Sequence, residues 1–404
     1  GSQEPLKNVE RDLLQENLEP FNDYFSNELL LSLGVSDARY REAVFNKLAH
    51  GHPQVTRMAA EYWLASDANH RPAAGQIPHI AELKDSILWV HNRIIDRLKE
   101  PLKTALRWAA LLRAINLDIL MATLPPDEDG QLRRLSADQF AKLTGYSFVN
   151  RNDGRWSCHR LVRQAQSSYL RQMQPEAYSA FHQRAADYFE KKNEKLEALY
   201  HRFFCEPAAA FAEWQKLEDF ADDHYDRAGQ TVLFDLVENS EIELEAKQKG
   251  YILACRGNFY YYTSMNAPAR ERYEQALEIY QSIGARLGEA NCKRALGDVH
   301  RMLNEYTPAR ECYEQALELY QSIGARLGEA NCKQALGDVH RMLNEYTPAR
   351  ERYGQALELY QSIGERLGEA NCKQVLGHVH YMLDEYAPAR ERYEQALEIY
   401  QSIG

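Results

Sequence analysis

The last third of the chain repeats itself, and this restricts the fold more than any other feature. Gly284, Gly324, Gly364 and Gly404 each close the same phrase, Tyr-Gln-Ser-Ile-Gly, at intervals of 40 residues. Copies 285–324 and 325–364 differ at few positions, and 248–284 is a more diverged copy. A fixed period of this length means stacked supersecondary units, because one unit alone cannot bury its apolar face.

Each copy reads as two helices. In 285–324, Leu287, Ala290, Ala295, Leu296, Val299 and Met302 fall at helical spacing and predict a first helix, A, over 287–303. Residues 304–306 break it. Thr307 is expected to cap a second helix, B, with Pro308 at its first position, where the missing N–H costs nothing. Helix B carries Ala309, Tyr313, Ala316, Leu317 and Tyr320 on one face, and Gly324 is its expected left-handed cap. The small residues Gly297, Ala309 and Ala316 let A and B approach closely.

The run Leu296-Gly297, His300, Ala309, Tyr313, Ala316 resembles the tetratricopeptide repeat. It departs from that family in lacking a Trp early in helix A and a Pro late in helix B, and in its period, which is longer than about 34 residues. The resemblance implies that helix A lines a concave groove. The residues spaced i, i+4, i+7 on that face are Asn258 and Tyr261 (after Ala254), then Arg294, Asp298 and Arg301, then Gln334, Asp338 and Arg341, then Gln374, His378 and Tyr381. Either these polar residues are merely solvated, or stacking aligns them into one groove for an extended peptide or protein segment. On the second reading, replacing Asp298, Asp338, Arg301 and Arg341 should leave helicity and melting unchanged.

A chain of 404 residues has room for two to four domains, and its 45% hydrophobic and 26% charged residues suit an ordinary soluble protein. No apolar run approaches the roughly 20 residues of a membrane span, so a cytoplasmic protein without a membrane partner is expected. Gly1-Ser2 reads as a protease-cleavage scar, so the natural chain is expected to begin upstream. A net charge of -11 argues against a general nucleic-acid coat. The seven cysteines show no metal or disulfide spacing. Cys292, Cys332 and Cys372 are one repeat position three times over, a repeat thickness apart, and read as small buried thiols in a reducing compartment.

Upstream of the repeats the text is also helical. Ser26 and Asp37 read as caps of short helices over 27–33 and 38–49, and Gly51-His52-Pro53 opens a third helix to about 65. Amphipathic helices follow over 80–98 and 102–115, with a short one over 117–123 and another, capped by Ser136, to 143. Two β-like runs, 146–150 and 155–158, flank an Asp153-Gly154 turn, and a closing helix starts near His159. The stretch 175–245 is helical, with an aromatic stripe (Tyr178, Phe181, Tyr188, Phe189, Tyr200, Phe203, Phe204, Phe211, Trp214, Phe220) that reads as core. The expected fold is mainly α: a helical bundle (17–70), a winged-helix domain (79–172), bridging hairpins (175–245) and a tetratricopeptide-repeat α-solenoid (246–404).

A second resemblance, over about 17–170, is to the STAND-class signalling NTPases of the NB-ARC type. Gly51-His52-Pro53 stands where they carry a Gly-x-Pro motif in an ATPase-associated helical domain. Cys158-His159-Arg160-Leu161-Val162-Arg163 is similar to the Met-His-Asp-type motif ending their winged helix, with Arg160 where many members have Asp. The resemblance implies that Pro53 lies near an adenine and His159 near the β-phosphate of ADP in the resting state. The alternative for His159 is a helix-start residue packed on the wing. No Gly-x-x-x-x-Gly-Lys-Ser/Thr loop and no Walker B acids occur. The chain is therefore expected not to be an enzyme and to hold no cofactor of its own, with ADP or ATP implied only for a full-length protein that adds the missing nucleotide-binding domain.

His378 and His380 lie roughly 200° apart on a helix and cannot chelate one ion together. Arg133, Arg134, Lys142, Arg151, Arg155, Arg160, Arg163 and Arg171 make 131–171 basic. They fit either DNA, as in a winged-helix regulator with a repeat-based effector domain, or the absent nucleotide domain, which is favoured because the Gly-x-Pro helical domain has no place in a simple DNA-binding protein. The expected function is the sensor and autoinhibitory module of a STAND switch. Its expected partners are a protein or peptide trigger in the repeat groove and a second copy through the last repeat, whose Tyr393, Ala396, Leu397 and Tyr400 lack a following helix A.

Overall fold

The computed structural model describes residues 20–403, apart from 67, 128, 132, 153, 154 and 239. The first residues of the 17–70 segment, the Asp153-Gly154 turn and the Gly404 cap lie outside them. The chain forms two compact units, divided between Glu213 and Trp214.

In the first unit, α1 (Asp23–Ser32) is capped by Asn22, whose side chain accepts from the Phe25 N–H. Ser26, expected as the cap, is buried one turn inside the helix instead. Asp37 does cap α2 (Ala38–Ala43), which continues into a π-helical turn, Val44–Ala49. The next helix, α3 (Pro53–Leu64), opens on proline. Just before it, Gly51 has φ +83°, and a Cβ there would lie 2.1 Å from the Phe21 carbonyl oxygen. The Phe21 N–H donates to the Gly51 carbonyl at 2.8 Å, so only glycine lets these two backbones meet.

Four helices follow: α4 (Leu83–Asp96), α5 (Leu102–Ala109), α6 (Leu117–Thr123) and α7 (Ala137–Thr144). The apolar period after Leu102 runs on to Ile115, but α5 stops at Ala109. Leu111, Leu112 and Ile115 are buried without being helical, and Ile115 forms an isolated bridge to Trp156. Strands β1 (Val149–Asn152) and β2 (Arg155–Cys158) pair antiparallel, Val149 opposite Cys158. The first strand begins later than its alternation suggests because Tyr146 and Phe148 stack at 5.2 Å in the turn before it. After the hairpin come α8 (Arg160–Met173), α9 (Pro175–Lys191) and α10 (Lys195–Cys205). One buried apolar cluster runs from Leu30 through Phe148 to Tyr178, Phe181, Phe189 and Ala198. Helices α9 and α10 thus belong to this core and do not form part of a separate bridge over 175–245.

Helix α11 (Pro207–Asp223) crosses the division. In the second unit, the buried Trp214 donates through Nε1 to the Leu233 carbonyl on α12 (Arg227–Glu238) at 2.8 Å. Phe220, expected in the core, is 61% exposed and stacks on His224. Four helical pairs then follow: α13 (Ala246–Tyr262) with α14 (Asn266–Ser282), α15 (Arg286–Met302) with α16 (Tyr306–Ile323), α17 (Arg326–Met342) with α18 (Tyr346–Ile363), and α19 (Arg366–Met382) with α20 (Tyr386–Ile403).

The B helices start earlier than proposed from sequence. Glu305 is the cap residue of α16 and makes no side-chain cap, so Thr307 and Pro308 lie inside the first turn. The turn closes sooner because Asn304 takes φ +60° and the Glu305 N–H returns to the His300 carbonyl at 2.9 Å. Gly324 caps the helix in the left-handed region, φ +70°, as expected. The face Ala309, Tyr313, Ala316, Leu317, Tyr320 is buried, whereas Leu287 and Met302 are half exposed despite their helical spacing.

Candidate functional site

Two places gather the candidate residues. The first is the A-helix face of the second unit. Adjacent A helices α13, α15 and α17 touch in sequence order, so their outward rows adjoin. The thiol of Cys372 on α19 lies 3.9 Å from Gln334 Oε1 on α17 and carries the row into the fourth copy.

The polar groups on this face are tied to helix-B tyrosines. Gly297 leaves room for the Tyr313 ring, which a Cβ would meet at 2.6 Å. The Tyr313 hydroxyl donates to Asp298 at 2.7 Å and accepts from Arg301 Nε at 3.3 Å. Arg294 donates to the other Asp298 oxygen at 2.9 Å. Tyr353, Asp338 and Arg341 repeat the arrangement, and in the first copy Tyr273 donates to Asn258 at 2.8 Å. Tyr360 donates to Asn331 at 2.6 Å with Gln334 also within 2.9 Å, and Tyr400 donates to Asn371 at 2.6 Å with Gln374 within 3.1 Å. The fourth copy breaks the pattern: His378 replaces the aspartate, and Tyr381, 55% exposed, packs edge-on against Tyr386.

These contacts correct one expectation. Asp298, Asp338, Arg301 and Arg341 hold buried tyrosine hydroxyls, so replacing all four should cost stability as well as any binding. Sequence reasoning missed the tyrosine hydroxyls and Asn291, Asn331 and Asn371 beside them. Their recurrence at the repeat period was the available signal.

The second place lies in the first unit. Pro53 and His159, far apart in sequence, line one cavity of about 270 Å³ with Phe21, His52, Gln54, Arg57, Ser147 and Asn150. It sits at the N-terminal ends of α3 and α8, for which His52 and His159 are the cap residues. His159 Nδ1 accepts from the Leu161 N–H at 3.3 Å, and its backbone N–H donates to Phe148. Among the described residues the His52 Nδ1 atom is buried without a protein partner, and burial lowers the pKa of this imidazole. Ser147 ties the hairpin to α3 by donating its N–H to Glu61 at 2.6 Å. Two helix N-termini, Arg57 and an orphaned imidazole nitrogen suit an anionic ligand.

The basic segment is partly neutralised. Arg133 pairs with Glu100 at 3.0 Å and Arg155 with Glu194 at 3.9 Å, while Arg151 lies over Trp156. Burial pushes the free thiols of Cys292, Cys332 and Cys372 up to about 12. Among the described residues no helix is long and apolar enough to cross a membrane, and no His/Cys/Asp/Glu group could hold a metal ion.

With this geometry in view, the four helical pairs of the second unit are tetratricopeptide repeats. The family model of that name matches residues 251–322, 309–362 and 328–402. No curated protein sequence matches the chain. Among solved structures, BtubC (BKLC) from P. vanneervenii is 18% identical, covering 55% of this chain and 92% of its own, with a TM-score of 0.46. A STAND signal-transduction ATPase with a tetratricopeptide-repeat sensor, from Pyrococcus horikoshii, is 15% identical over 95% of this chain, which spans 60% of that protein, at a TM-score of 0.42. A Rap protein complexed with competence and sporulation factor is 15% identical, covering 74% of this chain and 77% of its own, at 0.43. All three likenesses are distant.

Proposed function

We propose that the chain is the sensor and regulatory part of a STAND-type switch. The repeats bind a protein or peptide trigger on their A-helix face, and residues 20–173 close one wall of a nucleotide site completed by a separate nucleotide-binding domain. In this reading 79–172 is the winged helix and 17–70 the ATPase-associated helical domain. The observation that carries it is the convergence of Pro53 and His159 on one cavity between two helix N-termini. Pro53 would pack beside the base, with His159 and Arg57 toward the phosphates. These helix ends would attract the negative charge of a nucleotide bound there.

No residue set in this chain supplies a phosphate loop, so the chain itself binds and restrains and does not hydrolyse. The test uses the protein joined to its nucleotide-binding domain. His159→Ala should speed release of bound ADP and raise signalling without trigger. Unchanged ADP retention in both His159→Ala and Pro53→Ala would overturn the assignment. DNA recognition is the weaker reading, since Arg133 and Arg155 are already paired. A salt-dependent mobility shift of duplex DNA by the whole chain would revive it.

A further inference from the structure

One position of the A-helix face differs among the copies in a symmetric way. It reads Tyr261, Arg301, Arg341 and Tyr381 along the array. The two inner arginines are held from behind: each Nε donates to its tyrosine hydroxyl at 3.3 Å, and each Nη2 lies within 3.7 Å of Asp298 or 3.6 Å of Asp338. Among the described residues neither Nη1 has a protein partner, and the side chains remain 23% and 28% exposed. Among the described residues the carboxylates paired with Arg294, Arg301 and Arg341 are those of Asp298 and Asp338, three guanidinium groups against two carboxylates, in a chain of net charge -11.

The outer tyrosines differ from the inner arginines in kind. Tyr261 packs edge-on against Tyr262 at 5.5 Å, and Tyr381 against Tyr386 at 5.7 Å. Copies three and four are otherwise close, yet His378 and Tyr381 replace Asp338 and Arg341. That change removes the aspartate which in the inner copies accepts from the helix-B tyrosine, so stacking of the repeats does not account for it.

We propose that this row reads an extended acidic peptide. Two carboxylate side chains meet Arg301 and Arg341, and an apolar or aromatic side chain on either side packs on Tyr261 and Tyr381. Neighbouring A helices stand about 10 Å apart, and a peptide in the polyproline-II conformation advances about 3.1 Å per residue with three residues per turn, so every third side chain falls on the same side at that spacing: apolar-x-x-Glu-x-x-Glu-x-x-apolar. Charge-assisted bonds to pre-positioned guanidinium edges supply the selectivity. The inference rests on the reading of this face as the binding surface.

The experiment pans a random peptide display library against the whole chain, then measures a fluorescent ten-residue peptide of that pattern by polarisation. The expected enrichment is for acidic residues three apart. Affinity should fall about tenfold or more in Arg301→Gln and Arg341→Gln, and equally when the two glutamates are made adjacent in the peptide, a change that cannot disturb folding. Arg301→Glu with Arg341→Glu should prefer the lysine version of the peptide. Enriched peptides that need Tyr261, Arg301 or Tyr381 but lack the acidic spacing would overturn the ligand chemistry and leave the binding face standing. Peptides indifferent to all four row residues, or none at all, would overturn both.

Discussion

The Tyr313 hydroxyl donates to the Asp298 carboxylate at 2.7 Å across the gap between α16 and α15, and Tyr353 does the same to Asp338. The contact exists because Gly297 and Gly337 carry no side chain where the rings lie. It links the packing between the two helices of a repeat to the polar face that the repeat presents.

Gly297→Ala should therefore destabilise the array by about 1–3 kcal/mol, since its Cβ would meet a ring that is itself buried. Gly354→Ala is the control. Nothing lies within 4 Å of that site in mid-helix, so alanine should stabilise by about 0.5–1 kcal/mol. Urea unfolding of both variants checks the pair, and equal effects would contradict the packing account.

Acid should loosen the first unit through three buried histidines. His182 and His201 share a 2.8 Å hydrogen bond between Nδ1 atoms, and His91 bonds Gln166. Burial lowers the pKa of His182 well below the usual value, that of His91 to about 4 and that of His201 to about 3. An unfolded histidine takes its proton near pH 6.5, so their contribution is full above that pH and is lost as pH falls toward 4. The loss approaches about 1.4 kcal/mol per pH unit for each group. Urea unfolding at stepped pH should show this slope, and His182→Leu with His201→Leu should flatten it. An unchanged slope would contradict the assignment.

Purified chain should release no phosphate from ATP, because two helix ends and a histidine would make only part of the proposed nucleotide site. Turnover that persists in both Pro53→Ala and His159→Ala would reveal a catalytic centre elsewhere.

The α20 face should promote self-association. Tyr393 and Leu397 are 40% and 56% exposed, against 0% and 9% for Tyr313 and Leu317 and 0% and 7% for Tyr353 and Leu357. Sedimentation at rising concentration should show association that Leu397→Glu suppresses. A monomer throughout would count against this face as a contact.

The sequence by itself determined the repeat array. A 40-residue period, Tyr313 and its equivalents on the buried face, and Gly324 at the cap are local signals, and each works through neighbours within one unit or the next. It also placed Asp37, Pro53 and Ser136 at helix starts, since a cap acts within one turn. Tertiary structure decided what depends on distant chain. It ended α5 at Ala109 because Ile115 pairs with Trp156, and it drew α9 and α10 into the core of the first unit. It brought Pro53 and His159 to one cavity and turned the aspartates of the repeat face inward to tyrosine hydroxyls. Helical periodicity shows which face a residue occupies, whereas its partner across a groove depends on how the helices pack.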